Sequence, residues 1–316
     1  MDSLMCALMN AAQWRLRHHT VTKPELDAYL DTCAHFTREH YFALPTTGQT
    51  HWNLKGNRLS WNSSIPGIYP ENNIACADSF VTSNRSASKE APTIILLHAL
   101  MSANDFGYRR IAAHFNKRGW NVLFPHLPYH YSRRPKGYAN GALTITTNII
   151  RNAEALRQSV IELRQLMAWA RARGSQRIAL LGTSYGGWVS ALTLGLEMTD
   201  FTLLIQPIAD VPHATFKSPS STMMAGLLKA NGIDAASISR HAHLTSPLHL
   251  TPLTSADRIT VIGGTYDQIS PSESLKSLSS RWGSTSYREV RQGHFGYAAM
   301  KRALAEAEHY LNSPAQ

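Results

Sequence analysis

From residue 92 onward, short unbroken apolar runs alternate with longer stretches of helical period. The first ninety residues and the stretch 207–257 break that rhythm. The runs at 93–97, 121–124, 177–181, 201–206 and 259–263 are mostly apolar and lack the strict apolar–polar alternation of a strand with one solvated face, as in strands covered on both sides. A shorter run, 285–290, follows them. Between the runs lie helical patterns: 105–118, ended by Gly119, and 148–173, closed by Gly174. Along 148–173, Ala155, Val160, Leu163, Leu166, Met167 and Ala170 mark the inner side. Further helices are expected from the turn after 181 to about 197, from Pro271, and over 295–311. Strand–helix alternation of this kind predicts an α/β architecture with a mostly parallel central sheet flanked by helices.

The other regions read differently. Residues 1–44 predict two helices, the first with Leu4, Leu8, Ala12 and Leu16 on one face. The second opens at Thr22-Lys-Pro-Glu25, a cap with proline in the first turn, and carries Leu26, Leu30, Cys33 and Phe36 towards Tyr41. Residues 45–90 are cut by prolines and glycines, with short strands expected at 57–61, 67–69 and 74–81 and a polar, mobile linker at 83–90. The stretch 207–257 is too long for a plain loop and predicts two or three short helices, for example around 223–229. The expected division is an N-terminal extension over 1–90 and a core over 91–316, with an insertion at 207–257.

One strand-to-helix junction carries chemistry. The run 177–181 leads into Gly182-Thr-Ser184-Tyr-Gly186, followed by a small-residue helix start at Gly187, Ser190 and Ala191. A serine at the tip of so tight a turn sits in strained backbone. Glycines two before and two after remove the Cβ atoms that would obstruct it. Its oxygen then stands clear of the sheet, at the positive end of a helix.

This G-x-S-x-G in its strand–turn–helix setting resembles the nucleophile elbow of the α/β-hydrolase fold superfamily. The resemblance implies a base in the loop before the last helix, and His294 in Gln292-Gly-His-Phe-Gly296 occupies that loop. It implies an acid after the strand 259–263, which Asp267 in Gly263-Gly-Thr-Tyr-Asp-Gln-Ile-Ser270 matches. Asp210, after the strand 201–206, is the rival position. The order Ser184, Asp267, His294 is the one this fold uses. An oxyanion hole is implied from the N–H of Tyr185 and of Leu100, with Ala99 and Met101 as alternatives for the second donor. Ala99 stands where the resembled His-Gly motif has glycine, and His98 reads as a buttress to that loop. The strands before residue 91 would form an antiparallel edge. The 207–257 insertion would be a helical lid over the carboxyl ends of the strands.

The loop 127–137 also begins at that edge of the sheet. Its Tyr129, His130, Arg133 and Arg134 are candidates to clamp a carboxylate or phosphate on a substrate. The alternative is a surface loop whose arginines pair with acids on the helix 148–173. His241, His243 and His249 include an H-x-H, but no carboxylate or cysteine joins them at ligand spacing, so no metal site is expected.

Composition narrows the function classes. With 43% hydrophobic residues the chain has enough apolar material for a core. Its net charge of +10 is scattered, with no run of five Lys or Arg, which fits a solvated basic surface better than a nucleic-acid groove. Arg15, Arg17, His18 and His19 trail the first helix and admit peripheral membrane contact, against the alternative that the helix packs on the domain. Three cysteines without paired spacing give neither a disulfide framework nor a zinc site and point to a reducing compartment. The N-terminal charge order is the reverse of a secretory signal, and no apolar run reaches membrane-spanning length, so a cytoplasmic protein is expected.

The expectation is therefore a serine hydrolase of the carboxylesterase or lysophospholipase kind, working through an acyl-enzyme without a cofactor. Its substrate would be a small ester, acyl or anionic in character. The alternatives are a peptidase or amidase of the same fold, or a non-catalytic binding protein.

Overall fold

Nine strands form one sheet in the computed structural model, which describes residues 2–46, 50–82 and 91–311. The linker expected at 83–90 lies outside the described residues. The strands are β1 (Asn53–Lys55), β2 (Arg58–Asn62), β3 (Ile74–Phe80), β4 (Thr93–Leu97), β5 (Asn121–His126), β6 (Ile178–Thr183), β7 (Phe201–Ile205), β8 (Ile259–Gly264) and β9 (Ser286–Val290). Their order is β1-β2-β3-β5-β4-β6-β7-β8-β9. The first three join antiparallel, and β5 through β9 run parallel. The fold is thus α/β, a mostly parallel sheet with an antiparallel edge supplied by the segment before residue 91.

The helices are α1 (Asp2–Arg15), α2 (Lys23–Cys33), α3 (Arg38–Tyr41), α4 (Phe106–Asn116), α5 (Ile149–Ala172), α6 (Tyr185–Thr193), α7 (Val211–Phe216), α8 (Thr222–Ala230), α9 (Ala235–Ser239), α10 (Ala242–Thr245), α11 (Ser272–Arg281) and α12 (Ala298–Leu311). Alternate residues of a strand point to opposite faces, so the unbroken runs fill two cores at once. Ile94 and Leu96 of β4 pack with Ile111, Phe115 and Ala303 of α4 and α12. Ile95 and Leu97 pack with Leu156, Val160 and Leu163 of α5 and Val189 and Leu192 of α6.

Several local expectations change. Residues 67–69 are not a strand: the Gly67 N–H donates to Asn73 Oδ1 (2.8 Å) and the Asn73 side chain donates back to the Gly67 carbonyl (2.9 Å), which closes a loop between Pro66 and Pro70. β1 was not expected; it turns back onto β2 through Gly56, whose φ is +59°. The second helix stops at Cys33, and α3 starts afresh under a Thr37 cap. The insertion holds four α-helices, α7 to α10, where two or three were expected. No helix among the described residues is long and apolar enough to cross a membrane.

Candidate active site

The turn after β6 holds Ser184 at φ 52°, ψ −113°, outside the regions that L-residues ordinarily occupy. The flanking glycines explain how the turn fits. A Cβ on Gly182 would lie 2.5 Å from the Gly186 carbonyl oxygen, and one on Gly186 would lie 2.5 Å from the Leu97 carbonyl oxygen. Any side chain at either position would push the turn off the sheet. The Ser184 N–H is fixed to the Ile205 carbonyl (2.8 Å) and the Gly186 N–H to the His98 carbonyl (3.1 Å), so β7 and the loop after β4 grip the turn from two sides.

Ser184 Oγ stands 2.8 Å from His294 Nε2, and His294 Nδ1 stands 2.8 Å from Asp267 Oδ2. A carboxylate only accepts, so the ring proton belongs on Nδ1 and leaves Nε2 to accept from the serine hydroxyl. Asp267 is held in turn. Its Oδ1 accepts the N–H groups of Ile269 and Ser270, each at 2.9 Å, and its Oδ2 also accepts from Gln206 Nε2. The structure brings Asp267, not Asp210, to the histidine. The Asp210 carboxylate caps α7 through the His213 N–H at 2.9 Å.

Two side chains of this line were not expected from the sequence. Gln206, directly after β7 and at φ 46°, ties Asp267 to the Gly293 carbonyl (2.8 Å) and accepts from Gln292 Nε2 (2.8 Å). Its place at the carboxyl end of a parallel strand was the available signal. Asp2 at the head of α1 accepts the His294 N–H at 2.7 Å and the Phe295 N–H at 3.4 Å. Nothing local in the sequence points to a contact 292 residues away.

Beside Ser184 lie backbone donors. The Tyr185 N–H precedes the first hydrogen bond of α6, which runs from the Trp188 N–H to the Ser184 carbonyl. In the loop after β4, the Ala99 N–H donates to the Tyr108 hydroxyl (3.0 Å) and the Met101 N–H to His130 Nε2 (3.1 Å). The Leu100 N–H between them has no acceptor among the described residues. Two fully buried imidazoles set this pattern. His98 donates from Nδ1 to the Ala99 carbonyl (2.9 Å) and accepts the Leu127 N–H on Nε2 (3.1 Å). His130 donates from Nδ1 to the Pro128 carbonyl (2.8 Å). Burial pushes His98 well below the usual histidine range, and burial pushes His130 down to about 4. Both rings stay neutral near pH 7, and each spends one nitrogen as donor and one as acceptor.

The clamp expected from the loop after β5 is not present. Arg133 is 1% exposed, forms a two-pronged pair with Glu162 of α5, and also donates to the His126 carbonyl (3.0 Å) and the Asn72 carbonyl. Its pairing with an acid of α5 is what the alternative reading expected, but the guanidinium is buried and not part of a surface loop. Tyr129 packs against Leu16, Ala142 and Leu143, His130 braces the Ala99–Met101 loop, and Arg134 is exposed. None of the four lines the cavity that holds Ser184. A loop leaving the right edge of a sheet was legible; which way its side chains turn was not.

That cavity, of about 190 Å³, is lined mostly by apolar groups. Leu26 and Leu30 of α2, Leu156 of α5, and Ile208, Val211 and Met224 of the insertion contribute, as do Ser184, His294, Leu100 and Tyr185. Met9 and Gln13 of α1 complete it, so the N-terminal helix packs on the domain by its inner face. Of the apolar residues expected in the insertion, Met224 reaches the cavity, Leu228 is buried beside it with Leu26 and Leu30, and Met223 and Leu227 lie outside, near Asn10 of α1.

Comparison with known proteins agrees with this fold. A sequence model of the family described as alpha/beta hydrolase domain containing 18 matches residues 56–232, more than half of the chain. The match takes in Ser184 and the Ala99–Met101 loop and stops before Asp267 and His294. An uncharacterized protein of Mycobacterium tuberculosis is 26% identical over 190 residues, 57% of this chain and 43% of that one, so the match spans less than half of the relative's length. Among solved structures, acetyl xylan esterase 1 of Thermoanaerobacterium sp. superposes with a TM-score of 0.57 at 12% identity, over 95% of this chain and 98% of that one. A thermophilic esterase of Thermogutta terrifontis gives 0.51 at 15% identity, over 85% and 93%. At such identities the likeness establishes the fold alone.

Proposed function

The chain belongs to the alpha/beta hydrolase domain containing 18 family, and from that premise we propose that it is a serine hydrolase of carboxylic esters. Ser184 Oγ attacks the ester carbonyl carbon while His294 Nε2 takes its proton. Asp267 holds the Nδ1 proton of the ring and stabilises the imidazolium. The negative oxygen of the tetrahedral intermediate accepts the N–H groups of Leu100 and Tyr185. Collapse breaks the bond to the alcohol, which leaves with the proton from Nε2, and the acyl group stays on Ser184. Water then attacks the acyl-enzyme, His294 again takes and returns a proton, and the acid is released.

The observation that carries this reading is the 2.8 Å and 2.8 Å line from Ser184 through His294 to Asp267, beside two uncommitted amides. The apolar lining favours an acyl group as the part of the substrate held next to Ser184. With Arg133 committed to Glu162, no anionic group on the substrate is part of the proposal. A fluorophosphonate probe tests it. The wild-type protein should label and Ser184→Ala should not, and the wild type should cleave nitrophenyl esters faster than peptide anilides. A folded wild type that resists the probe would overturn the hydrolase reading; preference for anilides would move it to an amidase.

A further inference from the structure

The cavity beside Ser184 is apolar overall, yet three of its lining side chains hold a buried polar atom without a partner among the described residues: Oγ1 of Thr183 at the sheet edge, and, in the helices that cover it, Nε2 of His241 and Oε1 of Gln13, the two that concern the substrate's far part. Both residues are deeply buried, His241 at 6% exposed and Gln13 at 8%. Neither is free to turn away. His241 sits at the head of α10 with its N–H on the Ile238 carbonyl and its own carbonyl taken by the Leu244 and Thr245 N–H groups. The rings of Tyr29 and Tyr41 stand edge-on to its imidazole at 5.6 and 5.5 Å, and their hydroxyls are committed to each other (2.9 Å) and to Glu154. Gln13 donates from Nε2 to the Ile145 carbonyl, which fixes its other amide atom as the oxygen.

Leaving a buried polar atom unmet is expensive, and filling an apolar cavity with leucine or phenylalanine at these positions would avoid the expense. We propose that the cavity is built for an acyl group bearing hydroxyl, not for a plain hydrocarbon chain; this rests on the hydrolase reading above. A hydroxyl is the group that suits both atoms. Gln13 Oε1 only accepts, so its partner must donate, which excludes a ketone or an ether oxygen. Burial holds His241 down to about 4, so near pH 7 its ring is neutral and meets a hydroxyl as donor or acceptor. An unsubstituted chain satisfies neither.

The test compares kcat/KM for nitrophenyl esters of one medium-chain acid, unsubstituted and hydroxylated at successive carbons. The wild type should favour at least one hydroxylated ester by roughly tenfold, since a site built around a hydroxyl rejects the analogue that lacks it. His241→Phe and Gln13→Leu, made separately, should each shrink that ratio or reverse it. His241→Phe should melt at or above the wild-type temperature, because an unmet polar atom has been removed; Gln13→Leu also gives up its bond to the Ile145 carbonyl and is read by the ratio alone. A wild type that cleaves the plain ester as well as or better than every hydroxylated one would overturn the inference while the hydrolase reading stood. Cleavage of none of the esters, with no fluorophosphonate labelling, would remove both.

Discussion

The carboxyl edge of the sheet and the helices that cover it meet at one cavity but are built on opposite terms. At the edge, the side chains of the triad are paired in one line: the serine with His294, His294 with Asp267, and Asp267 with Gln206, Ile269 and Ser270. The cover, made of α1 and α7–α10, leaves Gln13 Oε1 and His241 Nε2 unmet, and Leu4, Leu8 and Trp14 on the outer face of α1 are exposed. The difference teaches where each kind of precision belongs. On the proposed reading, a fixed network positions reacting atoms, while a wall with open hydrogen-bonding capacity selects what they react with.

Two aspartates test that contrast most sharply. Asp267→Asn at the edge should lower kcat by about 10⁴, since the imidazole loses the partner that sets its tautomer. Asp210→Asn in the cover should leave kcat near wild type and cost at most about 1 kcal/mol of stability, a helix cap's worth. Steady-state kinetics and denaturant unfolding on both variants decide it; equal kinetic losses would erase the distinction.

Arg133→Met comes next. It leaves the Glu162 carboxylate buried without its partner, which should cost about 3–5 kcal/mol. In a chain of this size the melting temperature would drop by roughly 2–4 °C per kcal/mol. KM for anionic and neutral esters should change alike, because the guanidinium does not line the cavity. A selective loss of anionic substrates would return Arg133 to the role first expected of it.

His130→Phe should be smaller again, a fall of about tenfold to a hundredfold in kcat with little change in KM, as the Met101 N–H loses its acceptor and the neighbouring Leu100 N–H loses its aim. A change confined to KM would place His130 in substrate binding instead.

Acid probes both regions at once. His98, His130 and His241 are held neutral by burial, His130 and His241 down to about 4 against a usual 6.5. Below 6.5 the unfolded chain binds protons that the folded chain refuses. For His130 and His241 the contribution to stability is therefore whole above pH 6.5 and falls away between 6.5 and about 4, by about 1.4 kcal/mol per pH unit for each fully shifted ring, and His98 acts in the same direction. Denaturant midpoints across that range should show it, and His241→Phe should flatten the part that belongs to the cover. An unchanged slope in that variant would mean its imidazole is protonated in the folded state.

The sequence was most readable where one pattern had one cause. Apolar runs such as 93–97 and 259–263 are buried on both faces, so strand identity followed from hydrophobicity alone. Ser184, Asp267 and His294 stood at strand ends whose order the resembled superfamily shares. Reading failed where the answer depends on a side chain's direction or on a distant partner. Arg133 looks the same on paper whether it faces solvent or Glu162. His130 is a clamp candidate by position and a brace by contact. The pairing of Asn73 with Gly67 outcompeted the strand expected at 67–69, and Asp2 found its acceptor role only because α1 folds across the cavity.

The dependence of the site on position 294 has a consequence for biosynthesis. A ribosome-tethered chain that has emerged only through β7 already carries the serine turn and the Ala99–Met101 amides, yet it holds no imidazole to draw the proton from Ser184. On the proposed mechanism, reactivity would therefore be withheld from every chain that ends short of position 294, and such an arrested polypeptide would leave the translation machinery inert.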